Sequence, residues 1–205
     1  MSAQEYRYDV GPALGVAGYL GDLNESNMYK HPGLAGGGIF RYVHNSRWAF
    51  KGNLVYARLS GDSRDLGNKF VSEQPITFTT NAVDLCATAE FNFFHFGIGP
   101  RYKNYKRITP YMTLGLGVTG GFGKGFSNFS LTLPMGLGVK YKLKERLNLG
   151  FEFTMRKDFG DGLDGLKDLR GIKHGFAKNT EWHSFALFTV TYEFSKRCVK
   201  CHYVE

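Results

Sequence analysis

Apolar residues alternate with polar or small residues along most of this chain, which is the period of a β-strand with two unlike faces. In the clearest run every second residue from Leu131 to Leu143 is large and apolar. A similar run extends from Leu147 to Met155, after the polar stretch 144–146. The two runs and the polar residues between them predict a β-hairpin with a tight turn.

The same alternation predicts eight strands, at residues 7–19, 33–44, 47–60, 76–94, 108–122, 128–143, 147–158 and 181–195. These strands are much longer than the five or six residues that are usual in soluble sheets. A tilted strand that crosses a bilayer needs about 9–11 residues. We therefore predict an all-β protein, an eight-stranded antiparallel up-and-down transmembrane β-barrel at 1–195 with a short C-terminal periplasmic tail at 196–205.

The predicted connections differ in length in a way that is typical of outer-membrane barrels, which have long loops at one rim and short turns at the other. Three connections are long and rich in Gly, Asp, Asn and Lys: 20–32, 61–75 and 159–180. Two are very short: 44–46 and 144–146. Two others break the alternation, since 95–107 is long where a short turn is expected and 123–127 is short where a long loop is expected.

In a membrane barrel the apolar face meets lipid and the polar face meets the lumen. The charged residues predicted to point inward are Asp9, Arg41, Lys51, Asp84, Glu90, Lys140, Glu152, Arg156 and Glu193. An eight-stranded barrel is just wide enough for side chains to fill it, and burying unpaired charges is costly. We therefore expect a plugged lumen, not an open pore, with ion pairs among Arg41, Asp84, Glu90, Lys140, Glu152 and Arg156.

The alternative is a soluble eight-stranded barrel of the lipocalin type, which has the opposite polarity and one helix. No connection carries an amphipathic helical pattern. Aromatic residues cluster near strand ends, as in the interfacial girdles of membrane barrels; they are Tyr6, Tyr8, Tyr19, Trp48, Phe93, Phe94, Phe96, Tyr111, Tyr141, Trp182, Tyr192 and Phe194. Both observations favour the membrane barrel.

Composition is consistent with one folded domain: the chain has 205 residues, of which 42% are hydrophobic and 16% aromatic. Residues 1–5 lack the basic and apolar segments of a signal peptide, and small residues precede Gln4, so we expect a mature exported chain. The formal charge is +8. Such a balance favours an acidic partner, unless the charge is spread over the loops for solubility.

The sequence carries no convincing catalytic or metal-binding pattern. Glu181, His183 and Ser184 are residue types that lipid-modifying barrels use, but adjacent strand residues point to opposite faces. We therefore expect His183 to be an ordinary rim histidine. Four aspartates of the last long connection lack the spacing of an EF-hand, so we expect a solvated loop there: Asp158, Asp161, Asp164 and Asp168. We predict no enzyme activity, no metal and no cofactor.

The C-terminal tail contains the pair Cys198 and Cys201, followed by His202. In the oxidising periplasm exposed thiols do not stay free. The pair can close on itself, it can bond a cysteine of a partner, or it can bind zinc with His202 and a further ligand from elsewhere. Cys86, by contrast, lies alone in a predicted strand, where we expect it to be buried and inert.

Several blocks of the chain resemble PorG, a family of small outer-membrane β-barrels in the type IX secretion apparatus of Bacteroidetes. The resemblance covers nearly the whole chain and rests on residues 5–11, 109–118, 134–141 and 150–157 and on the Cys-x-x-Cys tail. It implies a structural component that anchors a periplasmic ring, made of a lipoprotein and its partner similar to PorK and PorN, to the outer membrane.

The resemblance also implies a bacterial outer-membrane location with both termini in the periplasm, and contact with outer-membrane lipids but with no nucleic acid or small-molecule substrate. The expected partner contacts are in the basic tail: Lys196, Arg197, Cys198, Lys200, Cys201, His202 and Tyr203. Cys198 and Cys201 are the disulfide candidates. The alternative is a free-standing structural or adhesion barrel of the OmpA type, which would bind through its long loops.

Overall fold

Long β-strands form almost all of the computed structural model, which describes residues 6–20, 32–62, 77–97, 105–123, 126–159 and 182–196. The strands are β1 (Tyr6–Leu20), β2 (Gly33–Val43), β3 (Trp48–Asp62), β4 (Thr77–Asn92), β5 (Ile108–Gly123), β6 (Phe126–Lys144), β7 (Leu147–Phe159) and β8 (Trp182–Lys196). All eight predicted strands are present, and each bound lies within two residues of the prediction. The alternation of apolar and polar residues is thus sufficient to locate them.

The sheet closes on itself in chain order. Each strand pairs antiparallel with the next, and β8 pairs with β1 through contacts such as Val10 with Tyr192 and Val16 with Ala186. Closure leaves no unpaired strand edge. The predicted eight-stranded up-and-down barrel is confirmed. Within the described residues, no helix has the length and hydropathy needed to cross a membrane.

The two faces of the sheet have the polarity of a membrane-spanning barrel, not of a soluble one. Large apolar side chains point outward, among them Leu34 at 80% and Phe129 at 71% exposure. The charged residues at the alternate positions are buried inside. A soluble barrel would place these two sets the other way round.

One end of the barrel, the termini rim, is the end where β1 begins and β8 ends. The connections β2–β3, β4–β5 and β6–β7 lie at this rim, and the other connections lie at the opposite loop rim. On the outer surface near the termini rim, Tyr8 packs against Phe40, Tyr42 and Phe194 with ring centroids 5.6–5.7 Å apart. These contacts form part of the predicted aromatic girdle.

Glycines let the narrow barrel curve tightly at lumen-facing positions. A Cβ atom on Gly15 would lie 1.9 Å from the backbone oxygen of Ala186, and one on Gly37 would lie 2.0 Å from that of Leu54. No side chain fits at such distances, so the neighbouring strand approaches these backbones closely.

The lumen is not uniformly polar. Toward the loop rim, small and apolar side chains of β1–β4 and β8 form a buried cluster: Ala13, Ala17, Ala35, Ile39, Val55, Ala57, Ala82, Phe185 and Leu187. The charged side chains occupy the remaining interior, and they define the candidate site.

Candidate functional site

Glu90 of β4 is the centre of a buried ionic network in the lumen. Its side chain is completely buried, and its carboxylate forms ion pairs with three cations. Arg41 Nε lies 2.8 Å from one oxygen and Lys51 Nζ lies 3.3 Å from the other, while Lys140 Nζ also contacts the carboxylate. One carboxylate cannot neutralise three cations, so further acids are needed.

Asp9 and Glu152 supply two of those acids. Arg41 Nη1 donates to Asp9 Oδ2 at 2.6 Å. Lys51 Nζ donates to both oxygens of Glu152, at 2.5 and 2.7 Å. Arg41 and Lys51 therefore each have a second carboxylate within reach, whereas Lys140 shares Glu90 with Asn92 Oδ1, at 3.3 Å.

The network continues toward the termini rim through Lys142 and Glu193. Lys142 Nζ lies 2.6 and 2.7 Å from the two carboxylate oxygens, and Asn148 Nδ2 donates to the same carboxylate at 2.7 Å. The lumen network, as we call it, has four carboxylates and four cations and is balanced in charge: Asp9, Arg41, Lys51, Glu90, Lys140, Lys142, Glu152 and Glu193.

Tyr111 brings β5 into this network and corrects one expectation. We predicted a girdle residue at this position, but Tyr111 is buried in the lumen and its hydroxyl donates to Glu152 Oε2 at 2.6 Å. Every second residue of β5 points into the lumen, and Tyr111 is one of them although it lies near a strand end. Gly138 leaves room for the ring, since a Cβ there would lie 2.5 Å from the ring carbon Cζ. With Tyr111, each of the eight strands contributes a side chain to these interior contacts.

A second lumen cluster lies nearer the loop rim and consists of Asp84, Arg156, Asp158 and His183. Arg156 forms an ion pair with Asp84, and its guanidinium lies 4.2 Å from the ring centroid of Phe185. His183 Nδ1 lies 2.7 Å from Asp158 Oδ2.

Hydroxyl groups complete the second lumen cluster. Thr132 Oγ1 donates to the other oxygen of Asp158 at 2.5 Å. Thr119 Oγ1 donates to Asp84 Oδ2 at 2.9 Å. Cys86 is buried, as predicted, and its thiol donates to Asp84 Oδ1 at 3.0 Å.

Two expectations about this cluster are wrong. His183 is not a rim residue, because only 1% of it is exposed and it faces the lumen. Asp158 is not part of a solvated loop: it lies in β7, as the predicted strand 147–158 implies, and it is buried. Ser184 follows His183 in β8, so the two side chains point to opposite faces of the sheet. They therefore do not meet an acid on one common face. Across the described ranges no group of three or more acids, histidines or cysteines is arranged to hold a metal ion.

The structure brings all six residues that were predicted to form ion pairs in the lumen into these two assemblies. Arg41, Glu90, Lys140 and Glu152 belong to the lumen network, and Asp84 and Arg156 belong to the second lumen cluster. Sequence reasoning did not identify Lys142, Tyr111, Asp158 and His183 as lumen residues, although the alternation places each of them on the inward face of its strand. Of the predicted tail contacts, Lys196 is the last residue of β8 and 197–203 lie outside the described residues.

The β4–β5 connection, which the sequence marked as anomalously long, packs against the β2–β3 turn. Phe96 and Lys106 form a parallel bridge, with Lys106 N donating to His95 O at 2.8 Å. The ring of His95 lies 2.8 Å from Ser46 Oγ, and Phe96 N donates to Ser46 O at 3.3 Å. We call these joined segments, residues 44–47, 93–97 and 105–107, the rim platform.

The rim platform lies over the lumen mouth. Lys142 Nζ, an interior group, is 5.5 Å from the centroid of the Phe96 ring, and Lys142 N donates to Arg107 O at 2.7 Å. In the neighbouring β6–β7 turn, Arg146 donates hydrogen bonds to the hydroxyls of Tyr192 and Tyr6 at 3.0 and 2.9 Å. These hydrogen bonds raise the pKa of the Arg146 guanidinium above its ordinary value, so it stays charged.

An apolar outer band around a closed, charge-filled antiparallel barrel defines the class of this protein as that of the outer-membrane type β-barrels. The chain belongs to the family described as Domain of unknown function (DUF6089), whose model matches residues 1–203. No curated protein matches the chain in sequence.

Two solved structures show the likeness in fold. The crystal structure of Neisserial surface protein A (NspA) is 14% identical, with a TM-score of 0.55, and the match covers 91% of this chain and 97% of that one. The outer membrane protein OprG from Pseudomonas aeruginosa is 14% identical, with a TM-score of 0.51, and the match covers 94% and 98%. At this level of identity the likeness concerns the fold.

Proposed function

We propose that this chain is a non-enzymatic outer-membrane anchor of a protein-secretion machinery of the type IX kind, and that it holds a periplasmic ring similar to PorK and PorN. The observation that carries the proposal is the lumen network. Eight charged side chains, drawn from seven strands, pair across the interior. A barrel filled in this way has no room to conduct a folded cargo, so its use to a secretion machinery lies in its surfaces.

Several features support the outer membrane as the location. The exposed apolar band matches a lipid environment, and β-barrels with closed edges are one of the two structures that can span a bilayer. In such barrels short turns face the periplasm and long loops face outward. The termini rim, which carries the short β2–β3 and β6–β7 turns, is accordingly the periplasmic end, and the tail at 196–205 is available to a periplasmic partner.

The tail supplies the second part of the proposal. Cys198 and Cys201 lie in the sequence shortly after Lys196, the last residue of β8, and Lys196, Arg197 and Lys200 make the tail basic. We propose that the cysteines form a disulfide with the ring lipoprotein and that the charges steer docking. An internal disulfide between the two cysteines would instead leave the chain without a covalent partner, and a non-reducing pull-down would show no band of higher mass.

A pull-down from mildly solubilised membranes, with and without reductant, tests this function. We expect the wild-type chain to retain a lipoprotein in a high-mass band that disappears when reductant is added. The Cys198→Ser/Cys201→Ser variant should lack that band. A Cys86→Ser variant is the matched control, since Cys86 is buried and should leave the band unchanged. A lone barrel in every lane would contradict the ring anchor.

The second candidate is a free-standing structural or adhesion barrel, which the fold shared with a neisserial surface protein favours. Such a protein would bind through the long connections predicted at 20–32, 61–75 and 159–180. Exchanging these connections for short turns would then abolish function, whereas truncation after Ser195 would not. The ring anchor predicts the reverse result in the same pair of variants.

A further inference from the structure

The net charge of the chain is concentrated in the sequence segments that border the strands at the termini rim. The segments that begin, end or connect strands at the termini rim carry eleven lysines and arginines and three glutamates: Glu5, Arg7, Arg47, Arg101, Lys103, Lys106, Arg107, Lys144, Glu145, Arg146, Lys196, Arg197, Lys200 and Glu205. This surplus equals the formal charge of the whole chain, +8. The connections at the loop rim, by contrast, carry eight acids and eight bases.

This distribution decides between the two interpretations of the positive charge. Charge spread for solubility would fall on the connections at both rims, whereas the connections at the loop rim are neutral as a set. The lumen is also close to neutral, because its charges pair with each other. Among the described residues, the surplus of positive charge lies at the termini rim, on Arg7, Arg47, Lys106, Arg107, Lys144, Arg146 and Lys196.

The rim platform holds part of this positive charge in place. Arg47, Lys106 and Arg107 are all exposed. Lys106 Nζ lies 3.9 Å from the centroid of the Phe94 ring, and Arg47 Nη2 lies 3.5 Å from His95 Nε2. Since backbone hydrogen bonds fix the segments that carry them, these cations are arranged before any partner arrives, which lowers the entropic cost of binding.

The position of the rim platform favours a protein over lipid as the occupant. Arg146 is exposed and donates to the hydroxyl of Tyr192, which lies on the outer face, and to that of Tyr6, which is buried. The platform instead covers the lumen mouth, where Phe96 lies against Lys142. The segments that carry its cations thus lie at the end of the barrel, where Arg107 O accepts a hydrogen bond from Lys142 N.

We infer that the rim platform is a docking surface for an acidic surface of a periplasmic protein, with Arg47, Lys106 and Arg107 as its main contacts. This inference deepens the proposed function, because it names a non-covalent contact and its chemistry in addition to the tail. Three exposed charges acting together change affinity by on the order of tenfold.

The test uses the chain reconstituted in nanodiscs of zwitterionic lipid, with fluorescent poly-L-glutamate as the probe. We expect Arg47→Gln/Lys106→Gln/Arg107→Gln to weaken binding about tenfold relative to wild type. The control, Arg58→Gln/Lys157→Gln, removes cations near the loop rim and should bind as wild type does. Equal binding by the platform variant and wild type, or an equal loss in the control, would overturn the inference.

Two further measurements keep the test independent of folding and of the tail. Wild-type binding should disappear at about 1 M salt, where screening acts over about 3 Å, and binding that persists there would contradict a charged surface. Phosphatidylglycerol vesicles that compete fully with poly-L-glutamate would assign the surface to lipid and overturn the inference. A chain truncated after Ser195 should keep platform-dependent binding, so failure of the tail disulfide and failure of the platform give different results.

Discussion

Replacement of Glu90 by glutamine will lower the free energy of unfolding by about 3–5 kcal/mol, the cost of leaving a buried charge without its partner. Glu90 is fully buried and contacts Arg41, Lys51 and Lys140. Arg41 keeps Asp9 and Lys51 keeps Glu152 in the variant. Lys140 keeps no carboxylate, and only Asn92 Oδ1, at 3.3 Å, and the ring of Tyr111 remain near it. Urea unfolding of the barrel in lipid vesicles measures the loss.

Two companion variants make this prediction specific. Glu145→Gln removes an exposed carboxylate of the β6–β7 turn and should change stability by less than about 0.5 kcal/mol. Lys140→Met, combined with Glu90→Gln, removes the cation left without a carboxylate and should recover part of the lost stability. If Glu90→Gln costs no more than Glu145→Gln, the lumen network does not stabilise the barrel.

Replacement of Leu114 by arginine will destabilise the barrel by about 2–4 kcal/mol, the cost of a cation on the lipid face near the bilayer midplane. Leu114 lies near the middle of β5, 57% of it is exposed, and it points away from the lumen. The same unfolding measurement in vesicles checks the value.

Ile108→Arg is the matched control on the same strand and the same face. Ile108 is the first residue of β5, at the termini rim, where a cation reaches headgroups and costs about 0–1 kcal/mol. The difference between the two variants therefore measures depth in the bilayer. Equal costs at the two positions would argue against lipid contact along this face.

The sequence was sufficient for the strands and their faces because both depend on local alternation. A strand has a period of two, so the large apolar positions from Leu131 to Leu143 fix which residues meet lipid. The inward set followed directly, and Arg41, Glu90 and Arg156 lie where the alternation puts them. Burial of the charges then requires that they pair.

Partner choice across the lumen could not be predicted in the same way. Lys51 and Glu152 are 101 residues apart, and they meet only because closure and register bring β3 and β7 to opposite walls at the same height. No pattern in the sequence carries that register. Tyr111 was misplaced for a related reason: a tyrosine near a strand end is common in girdles, and only its parity shows that it faces Glu152.

The rim platform was beyond sequence reasoning because its fold depends on contacts between two connections. The stretch 95–107 was recognised as too long for a periplasmic turn, but nothing in it indicates that His95 binds Ser46 or that Phe96 lies over the lumen mouth. The charge concentration at this rim was present in the sequence. It became visible only once the topology assigned each connection to an end of the barrel.

The most direct test of the account is the ion conductance of the purified chain in planar lipid bilayers. A barrel whose lumen is filled by the paired charges of the lumen network and the second lumen cluster should insert without producing a steady current. That result supports an anchor that acts through its surfaces. A stable conductance that grows with salt concentration in the wild-type chain would show an open lumen and contradict the account.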